Sequence, residues 1–278
     1  MEEITRELVR SLLPPRDPGG HKGTFGRVYV YGGSVGYTGA PVYAGEAAVR
    51  TGSGLVYVGV PGEVYPIVAA RCDAAMAHPV PADPAALRGR MAGCGAVLLG
   101  PGLGRASETE RAVLALLRDL EQPVVLDADG INAVSAHIDE LDNRRGVTVL
   151  TPHEGEFARL NGSFPGDRRE QVAEAFARRH GCVLVLKGPG TLVAGADGRL
   201  FLNTTGNCGM AKGGSGDVLA GMILSLLGQG AGPVEAAVCA VWLHGRAGDL
   251  AARELTAYAM APSDLLRWLP AAFHSLDQ

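Results

Sequence analysis

The segment "NTTGNCGMAKGGSGDVLAG", residues 203–221, combines glycines with a single acidic residue just before an apolar run. Gly213, Gly214 and Gly216 allow backbone amides to turn toward one point, and a helix that begins there adds its positive end. Asp217 falls in the first turn of that helix, beside the anion site. Because a carboxylate repels a bound anion, this placement favours a general base for a hydroxyl that attacks a phosphoryl group. The alternative is a glycine turn with Asp217 as a helix cap.

Upstream of this segment, short apolar strands alternate with helices from residue 27 to residue 188. This order is typical of a mostly parallel sheet with helices on both faces, so the sequence predicts an α/β protein with a three-layer α/β/α sandwich. No repeat, linker or low-complexity stretch divides the chain, which predicts one domain over residues 1–278. The expected strands are 27–33, 55–60, 96–100, 123–129, 147–150 and 182–188, followed by a hairpin that joins 191–195 to 200–203.

Ligands of such sheets bind outside the carboxyl ends of the strands. Glycine-rich or polar stretches begin at these ends, after residues 31, 99, 126, 150 and 187. Ser107 is predicted to cap the helix 107–120. The small residues of the helix 38–52 suit close packing against a neighbouring subunit. The expected helices are 3–13, 38–52, 63–71, 107–120, 154–161, 170–180, 215–228, 233–252 and 262–269.

Composition limits the class of partner and the compartment. The formal net charge of −4 argues against a general nucleic-acid-binding surface. The five cysteines are scattered and form no CxxC pair, which predicts reduced thiols in a cytoplasmic protein. Acidic residues at positions 2 and 3, and the lack of an 18-residue apolar run, predict neither a signal peptide nor a membrane span.

Lysine is rare in this sequence. Of 25 basic residues only three are lysines, Lys22, Lys187 and Lys212, and each is followed directly by glycine. Because the ammonium group is a compact point charge whereas guanidinium is a planar fork, these lysines indicate places where a small cation lies close to backbone. Chance together with local turn chemistry is the alternative.

Two common nucleotide-binding motifs do not explain the site. The GxxxxGK[ST] pattern of P-loop proteins does not occur in the sequence. The segment "GPGLGR" gives G-x-G-x-G at residues 100–104, but Arg105 stands where a dinucleotide-binding loop has its third glycine. The sequence therefore excludes a P-loop protein and gives a dehydrogenase weak support.

The stretch 206–221 resembles the G-x-G-D anion-hole signature of the ribokinase superfamily. Together with five further stretches it resembles more closely the ADP- or ATP-dependent NAD(P)H-hydrate dehydratases, over nearly the whole chain. Glu154 stands where members of that family often have proline, which affects one loop. Some members carry an additional N-terminal epimerase domain, and we expect none within these residues. The five stretches are "HKGTFGRVYVYGGSVGYTGAP" (21–41), "GPGLG" (100–104), "VVLDADGINAV" (124–134), "TPHEGEFARL" (151–160) and "VLKGPGTLV" (185–193).

This resemblance implies a ribokinase-like fold and the repair of NADH or NADPH that has been hydrated at C6 of the nicotinamide ring. ADP or ATP, with Mg²⁺, would phosphorylate the C6 hydroxyl, and loss of phosphate would restore the dihydropyridine. Asp217 would be the base, and amides around Gly214, Ser215 and Gly216 would stabilise the transferring phosphoryl group. The resemblance also implies a homotetramer, and it favours ADP over ATP.

The remaining assignments also come from the resemblance. Gly216 would lie close to the phosphates of the nucleotide. Glu156 would organise Mg²⁺ through water, the alternative being an exposed glutamate in the first turn of the helix 154–161. The residues expected to hold the nucleotide are Lys187, Gly188, Pro189, Gly190 and Thr191. Those expected to line the pocket for the hydrate are Ala40, Gly102, Gly104, His153 and Asp217.

Four other polar residues have open or weakly defined roles. Asp127 and Asp129 follow a strand, where they would orient a ribose or a metal-bound water, or cap the next turn. His21 and Lys22 are expected in a segment that closes over the phosphates.

Two other functions share these features. A hydroxymethylpyrimidine or hydroxyethylthiazole kinase would use the same base and anion hole but would release a phosphorylated product. A catalytically silent nucleotide-binding regulator would keep the fold, yet it gains nothing from a carboxylate that faces phosphate. The combination of "GPGLG", "DADGIN" and "TPHEGE" favours the dehydratase over both.

Overall fold

A computed structural model describes residues 1–81, 83–163 and 166–277, which contain ten strands in one sheet and eleven α-helices. The strands are β1 Glu2–Glu3, β2 Arg27–Tyr31, β3 Leu55–Pro61, β4 Met76–Val80, β5 Ala96–Leu99, β6 Val124–Leu126, β7 Thr148–Leu150, β8 Val183–Leu186, β9 Thr191–Ala194 and β10 Leu200–Asn203. The helices are α1 Arg6–Leu12, α2 Gly39–Arg50, α3 Tyr65–Ala69, α4 Pro84–Met91, α5 Ser107–Asp119, α6 Asp129–Val134, α7 Glu154–Asn161, α8 Arg169–Arg179, α9 Ser215–Gly228, α10 Pro233–Ala259 and α11 Pro262–His274.

The strand order is β1-β10-β9-β8-β7-β6-β5-β2-β3-β4. Strands β2 to β8 are parallel to their neighbours within this set, whereas β9 is antiparallel to both β8 and β10. The chain proceeds from β2 outward through β3 and β4, and β5 then pairs with the other side of β2. This reversal is a topological switch point, where open α/β sheets bind their ligands.

The sheet separates two hydrophobic cores. Val28 and Val30 of β2 face one core, which includes apolar residues of α2, α9, α10 and α11. Tyr29 and Tyr31, on the alternate positions of the same strand, face the other core, with residues of α4, α5, α7 and α8. Helices therefore cover both faces, and the predicted α/β/α sandwich with a mostly parallel sheet is confirmed. That residues 1–278 form one domain stays a prediction.

Helix α2 uses its small residues within the chain. Ala44, Ala47 and Ala48 are fully buried in the core that also contains α9. The expectation that this face packs against a neighbouring subunit is therefore wrong, because its own chain already covers it. The homotetramer stays a prediction.

Several element boundaries differ from those expected. Ala106, in extended conformation, holds the N-cap position of α5, so Ser107 is the first helical residue and not the cap. Helix α10 runs seven residues past the expected end at 252, with a non-helical Thr256 near its end. Helix α11 continues through Pro270 to His274. Ala272 and Phe273 pack the extension of α11 on the core, whereas the extension of α10 contains no buried residue and has no explanation in the structure.

Four elements were not predicted, of which β1 is a strand of only two residues, Glu2–Glu3, where the helix 3–13 was expected to begin. Strand β4 is a half-exposed edge strand that contains Pro79, and such strands lack the apolar run of a central strand. Helix α4 carries two buried residues, Leu87 and Met91, among polar and small ones. Helix α6 is only six residues long and begins directly after β6.

Candidate active site

A cleft of about 740 Å³ lies at the carboxyl edge of the sheet, at the switch point between β2 and β5. Tyr37 of the loop after β2 and Ala40 in the first turn of α2 form one wall, and the loop after β5 contributes Gly102 and Gly104. Ser34 Oγ donates to the Gly102 carbonyl at 2.8 Å and thereby joins these two loops. The floor includes the first turn of α9, with Gly214 and Asp217.

The predicted residues divide into those that line this cleft and those that lie behind its lining. Ser215, Gly216, His153 and the segment 187–191 are not among the described residues that line it. Of these, Lys187 and His153 both contact the lining residue Glu156. The predicted residues that line the cleft are Ala40, Gly102, Gly104, Glu156, Gly214 and Asp217.

The start of α9 provides unpaired amides. Gly214 is the N-cap residue with φ +108°, and a Cβ atom there would lie 3.0 Å from both Pro262 and Tyr43, so only glycine suits this position. The N–H groups of Ser215 and Val218 donate to Lys212 and Gly214 carbonyls. Those of Gly216 and Asp217 have no acceptor within residues 1–81, 83–163 and 166–277. Two free amides at a helix N-terminus form an anion-binding site.

Asp217 has an unusual proton affinity. Burial raises the pKa of its carboxyl group to about 7, and the nearby Asp127 carboxylate adds to this, while Lys187 acts in the opposite direction. Asp129 and Glu156 also raise the pKa. A carboxylate with a pKa near neutrality suits proton acceptance in the physiological range.

Lys187 connects the acidic residues behind the cleft. Its Nζ donates to Asp127 Oδ1 at 3.1 Å and lies 3.9 Å from Glu156 Oε2. Although burial opposes the charge of Lys187, Asp127 and Glu156 hold the pKa of its ammonium group above the usual value. Asp127 Oδ1 also accepts from Thr151 Oγ1 at 2.7 Å. Asp127 therefore holds the lysine in place. The roles left open for Asp127, toward a ribose, a metal-bound water or the next turn, stay predictions.

Lys187 also approaches the anion site. A Cβ atom at Gly216 would lie 3.2 Å from Lys187 Nζ, so the glycine leaves room for the ammonium group beside the free amides. Lys22 and Lys212 have other surroundings: Lys212 Nζ donates to the carbonyls of Tyr258 and Met260. Of the three lysines, Lys187 is the one that combines a compact charge with the predicted phosphate site.

His153 and Glu156 form a reciprocal cap at the start of α7. His153 Nδ1 accepts from the N–H groups of Gly155 and Glu156, at 3.0 and 3.3 Å, and Glu156 Oε2 accepts from the His153 N–H at 2.9 Å. Glu156 is only 6% exposed, so the alternative of an exposed glutamate is wrong. The Nε2 atom of His153 lies 3.6 Å from Glu156 Oε1. The role of His153 toward the hydrate stays a prediction.

Asp129 fixes the neighbouring glycine loop. Its Oδ2 accepts from the Gly104 N–H at 2.8 Å, and its Oδ1 accepts from Asn132 Nδ2 at 3.1 Å. The residue before it, Ala128, has φ +49° and ψ −113°, a strained conformation for a non-glycine residue. Ala128 and Asp129 both line the cleft, and the Asp129 side chain bonds the loop after β5.

Gly100 should not tolerate a side chain. Its φ is +134°, and a Cβ atom would lie 1.8 Å from the Asp127 carbonyl oxygen. We expect Gly100→Ala to lower the free energy of unfolding by about 3 kcal/mol or more, measured by urea denaturation. Gly62→Ala is the control, since Gly62 has open space around it and a conformation that alanine adopts readily. A Gly100→Ala protein as stable as the Gly62→Ala protein would contradict this packing.

The segment 187–191 forms a tight turn between β8 and β9. Thr191 Oγ1 donates to the Gly188 carbonyl at 3.1 Å, which closes the turn. Arg169 at the start of α8 donates from Nη1 to the Pro189 carbonyl at 3.0 Å. No local signal singles out Arg169, because it is one of many arginines and lies 18 residues before this turn.

Residues 21–22 lie far from the cleft. The Lys22 carbonyl oxygen packs against Gly54, which directly precedes β3, and Gly26 packs against the Gly228 carbonyl at the end of α9. Helix α9 has 14 residues and runs from the anion site to this opposite edge, a length of about 20 Å. The expectation that His21 and Lys22 close over the phosphates is therefore wrong.

Other cleft residues were missed by sequence reasoning. Tyr37 and Tyr43 both line the cleft. Arg105 lies at the mouth, with a side chain 70% exposed and its Nε 3.7 Å from Asp129 Oδ1. Only its position directly after "GPGLG" could have indicated it.

The donor set fits a metal ion that is held mainly by phosphate. No cluster of three side chains able to hold a metal occurs in the described residues. Glu156, Asp129 and Asp217 nevertheless all line the cleft with carboxylate oxygens, the donors that Mg²⁺ prefers. Magnesium usually keeps several waters and binds through one or two carboxylates together with substrate phosphates, so these residues fit it.

The sheet is mostly parallel, and at its carboxyl edge a glycine-rich helix start combines free backbone N–H groups with a buried carboxylate. These features define a ribokinase-like α/β protein. The family model described as NAD(P)H-hydrate dehydratase matches residues 28–271, and the chain belongs to this family. It is 38% identical to the ADP-dependent (S)-NAD(P)H-hydrate dehydratase of Neisseria meningitidis serogroup B, over 96% of this chain and 94% of the relative.

Other relatives are longer. The chain is 42% identical, over 99% of its length, to a bifunctional NAD(P)H-hydrate repair enzyme of Moorella thermoacetica, of which it covers 54%. It thus spans about half of such bifunctional relatives. Among solved structures it is similar to the ADP/ATP-dependent NAD(P)H-hydrate dehydratase of Bacillus subtilis co-crystallised with ATP and Mg²⁺, with a TM-score of 0.86 and 33% identity over 99% of this chain and 98% of that one.

Proposed function

We propose that this protein repairs hydrated NADH and NADPH by nucleotide-dependent dehydration, which makes it a carbon–oxygen lyase. The observation that carries the proposal is the placement of Asp217, a cleft-lining carboxylate with a pKa near 7, at the helix start that has two free amides, with Lys187 behind the lining. A site that only binds phosphate gains nothing from such a carboxylate. Family membership supports the choice of substrate.

In the first step Asp217 accepts the proton of the C6 hydroxyl while that oxygen attacks the terminal phosphorus of the nucleotide. A new oxygen–phosphorus bond forms, and the bond to the remaining nucleotide breaks, which releases AMP from ADP or ADP from ATP. The amides of Gly216 and Asp217, with Lys187, stabilise the charge on the phosphoryl oxygens. In the second step phosphate leaves C6 with the electron pair of the carbon–oxygen bond, and loss of a C5 proton completes the double bond.

The nucleotide would lie over the turn 187–191. Glu156 would hold Mg²⁺ through a water molecule. Bound magnesium supplies charge neutralisation on the phosphates. We propose ADP as the preferred nucleotide, supported by the relative from Neisseria meningitidis, which is named ADP-dependent. The hydrate would occupy the wall formed by Ala40, Gly102 and Gly104.

A cytoplasmic location is also proposed. All five cysteines, which lie within the described residues, are free thiols, and three of them are buried. In the described part of the chain, none of the helices has the length and apolar character needed to cross a lipid bilayer.

Chemically hydrated NADH, incubated with the protein and either ADP or ATP in the presence of Mg²⁺, tests the proposal. We expect absorbance of the dihydropyridine to recover, faster with ADP, and to stay absent when nucleotide is omitted or Mg²⁺ is chelated. Release of a phosphorylated hydrate without recovery of absorbance would instead indicate a small-molecule kinase. No turnover with any nucleotide would indicate a regulator.

The rate should depend on pH through Asp217. Because only the ionised carboxylate accepts a proton, and because burial raises its pKa to about 7, turnover at limiting substrate should fall as the pH drops below about 7. The same shift acts on stability in the opposite direction: burying the charged form costs free energy, so this group lowers stability as the pH rises from about 4 past 7. A rate that stays constant from pH 8 to pH 5 would contradict the assignment.

A further inference from the structure

Helix α10 holds the loop that leads to the anion site. Asp249 accepts from the Gly206 N–H at 3.0 Å and from Asn207 Nδ2 at 3.1 Å. One face of the helix thus bonds the loop at several points before α9 begins. The other bonds in this set are Asn203 Nδ2 to the Val241 carbonyl, 3.3 Å, and Thr205 Oγ1 to the Trp242 carbonyl, 3.0 Å.

A further hydrogen bond joins α10 to the first residue of α9, and it comes from a buried histidine that the proposed chemistry does not use. His244 lies in the middle of α10, and its Nε2 is 2.9 Å from the Ser215 carbonyl oxygen. Because a carbonyl oxygen only accepts, Nε2 carries the proton. Burial lowers the pKa of the His244 imidazole to about 4, so the ring stays neutral and keeps this donor at physiological pH.

The bonded carbonyl shares a peptide unit with one of the free amides. Ser215 C=O and Gly216 N–H belong to the same planar trans peptide, in which the two groups point in opposite directions. A donor that holds the oxygen on the α10 side therefore turns the Gly216 N–H away from α10. Hydrogen bonding to the carbonyl also polarises the peptide and strengthens its N–H as a donor.

We propose that His244 is a positioning residue, which holds the Ser215 carbonyl and so aims the Gly216 N–H at the transferring phosphoryl group. The inference rests on the proposed function for its catalytic consequence. It assigns His244 no contact with substrate. The Ser215 carbonyl still accepts the ordinary helix bond of α9, because an oxygen of this kind has two lone pairs.

Two substitutions of His244 separate the effect of losing the hydrogen-bond donor from the effect of losing side-chain volume. Gln places an amide N–H near the position of Nε2, whereas Leu fills the space without a donor. We expect His244→Leu to lower kcat by about 10- to 100-fold while KM for the hydrate changes less than about three-fold, because the lost alignment matters in the transition state. His244→Gln should recover most of kcat.

His180 offers a matched control. It is also a buried histidine, paired with Asp142 at 2.7 Å, but it lies at the end of α8 in the layer on the other side of the sheet. His180→Leu should lower stability without lowering kcat of the folded enzyme. If His244→Leu does not fold, His244→Asn replaces it, since the shorter amide does not reach the carbonyl. Equal kcat in the wild type and His244→Leu or Asn, or no recovery with Gln, would overturn the inference.

A second readout does not depend on activity. Serine is followed by glycine at only two places in the sequence, residues 53–54 and 215–216. Protein labelled with ¹³C-carbonyl serine and ¹⁵N-glycine therefore gives two one-bond correlation signals. His244→Leu or Asn should shift the signal of 215–216 and leave that of 53–54 in place, and His180→Leu should shift neither. An unshifted signal overturns the inference, whereas a wild type that leaves hydrated NADH unchanged overturns only the proposed function.

Discussion

Replacing Asp217 with Asn is expected to lower turnover of hydrated NADH by about 10²- to 10⁴-fold. The change keeps the size of the side chain and the start of α9, but it removes the group that accepts the hydroxyl proton. Affinity for ADP should stay the same or increase, because a negative charge leaves the neighbourhood of the phosphates. Turnover and ADP binding are measured on the same protein preparation.

The stability of the Asp217→Asn protein provides an internal check. Because burial raises the pKa of Asp217 to about 7, the wild type contains an unfavourable buried charge above that pH. The melting temperature of Asp217→Asn should therefore exceed that of the wild type at pH 8, with a smaller difference at pH 5. Turnover within a few-fold of wild type would mean that Asp217 is only part of the helix start, and that the base lies elsewhere.

Replacing Lys187 with Met should weaken ADP binding by about 10²-fold or more. The lysine lies beside the anion site at Gly216 and neutralises Asp127 and Glu156 behind the cleft. Its removal leaves these carboxylates to repel the phosphates. Since Lys187 also lowers the pKa of Asp217, the pH at which residual activity appears should move upward. Calorimetric titration with ADP and a pH–rate profile measure the two effects.

Lys212→Met is the control for Lys187, because Lys212 bonds the carbonyls of Tyr258 and Met260 outside the cleft lining. It should change ADP affinity by less than about three-fold. Lys187→Arg should lie between wild type and Lys187→Met, since it keeps the charge but needs more room, and the lysine Nζ already lies close enough to Gly216 that a Cβ atom there would be 3.2 Å away. Equal ADP affinity in all three variants and the wild type would remove Lys187 from the nucleotide site.

The strand ends and the glycine segment were predictable because their signals are local. The apolar strands place Asp127, Glu156 and Lys187 at one edge of a parallel sheet, and the structure brings them within hydrogen-bond or ion-pair distance of one another through Lys187. The free amides of Gly216 and Asp217 likewise follow from glycines before a helix. These residues stay predicted site residues until the variants are measured.

Other features depend on contacts between distant parts of the chain. From the sequence, His244 is indistinguishable from a core residue of an apolar helix. Its hydrogen bond to the Ser215 carbonyl exists only because α10 packs against the start of α9. The burial of Glu156 similarly requires α7 to dock beside β8. Lys22 lies five residues before Arg27, the first residue of β2, and the chain just before a strand of a parallel sheet lies at the amino edge, opposite the ligands.

The measurement that tests the central claim most directly is the stoichiometry of one reaction with hydrated NADH and ADP. Dihydropyridine absorbance, inorganic phosphate and AMP are followed in the same sample. The proposed mechanism predicts one NADH, one phosphate and one AMP for each ADP consumed, with a large loss of all three in the Asp217→Asn protein. Consumption of ADP that yields AMP and a stable phosphorylated hydrate, without NADH, would contradict it.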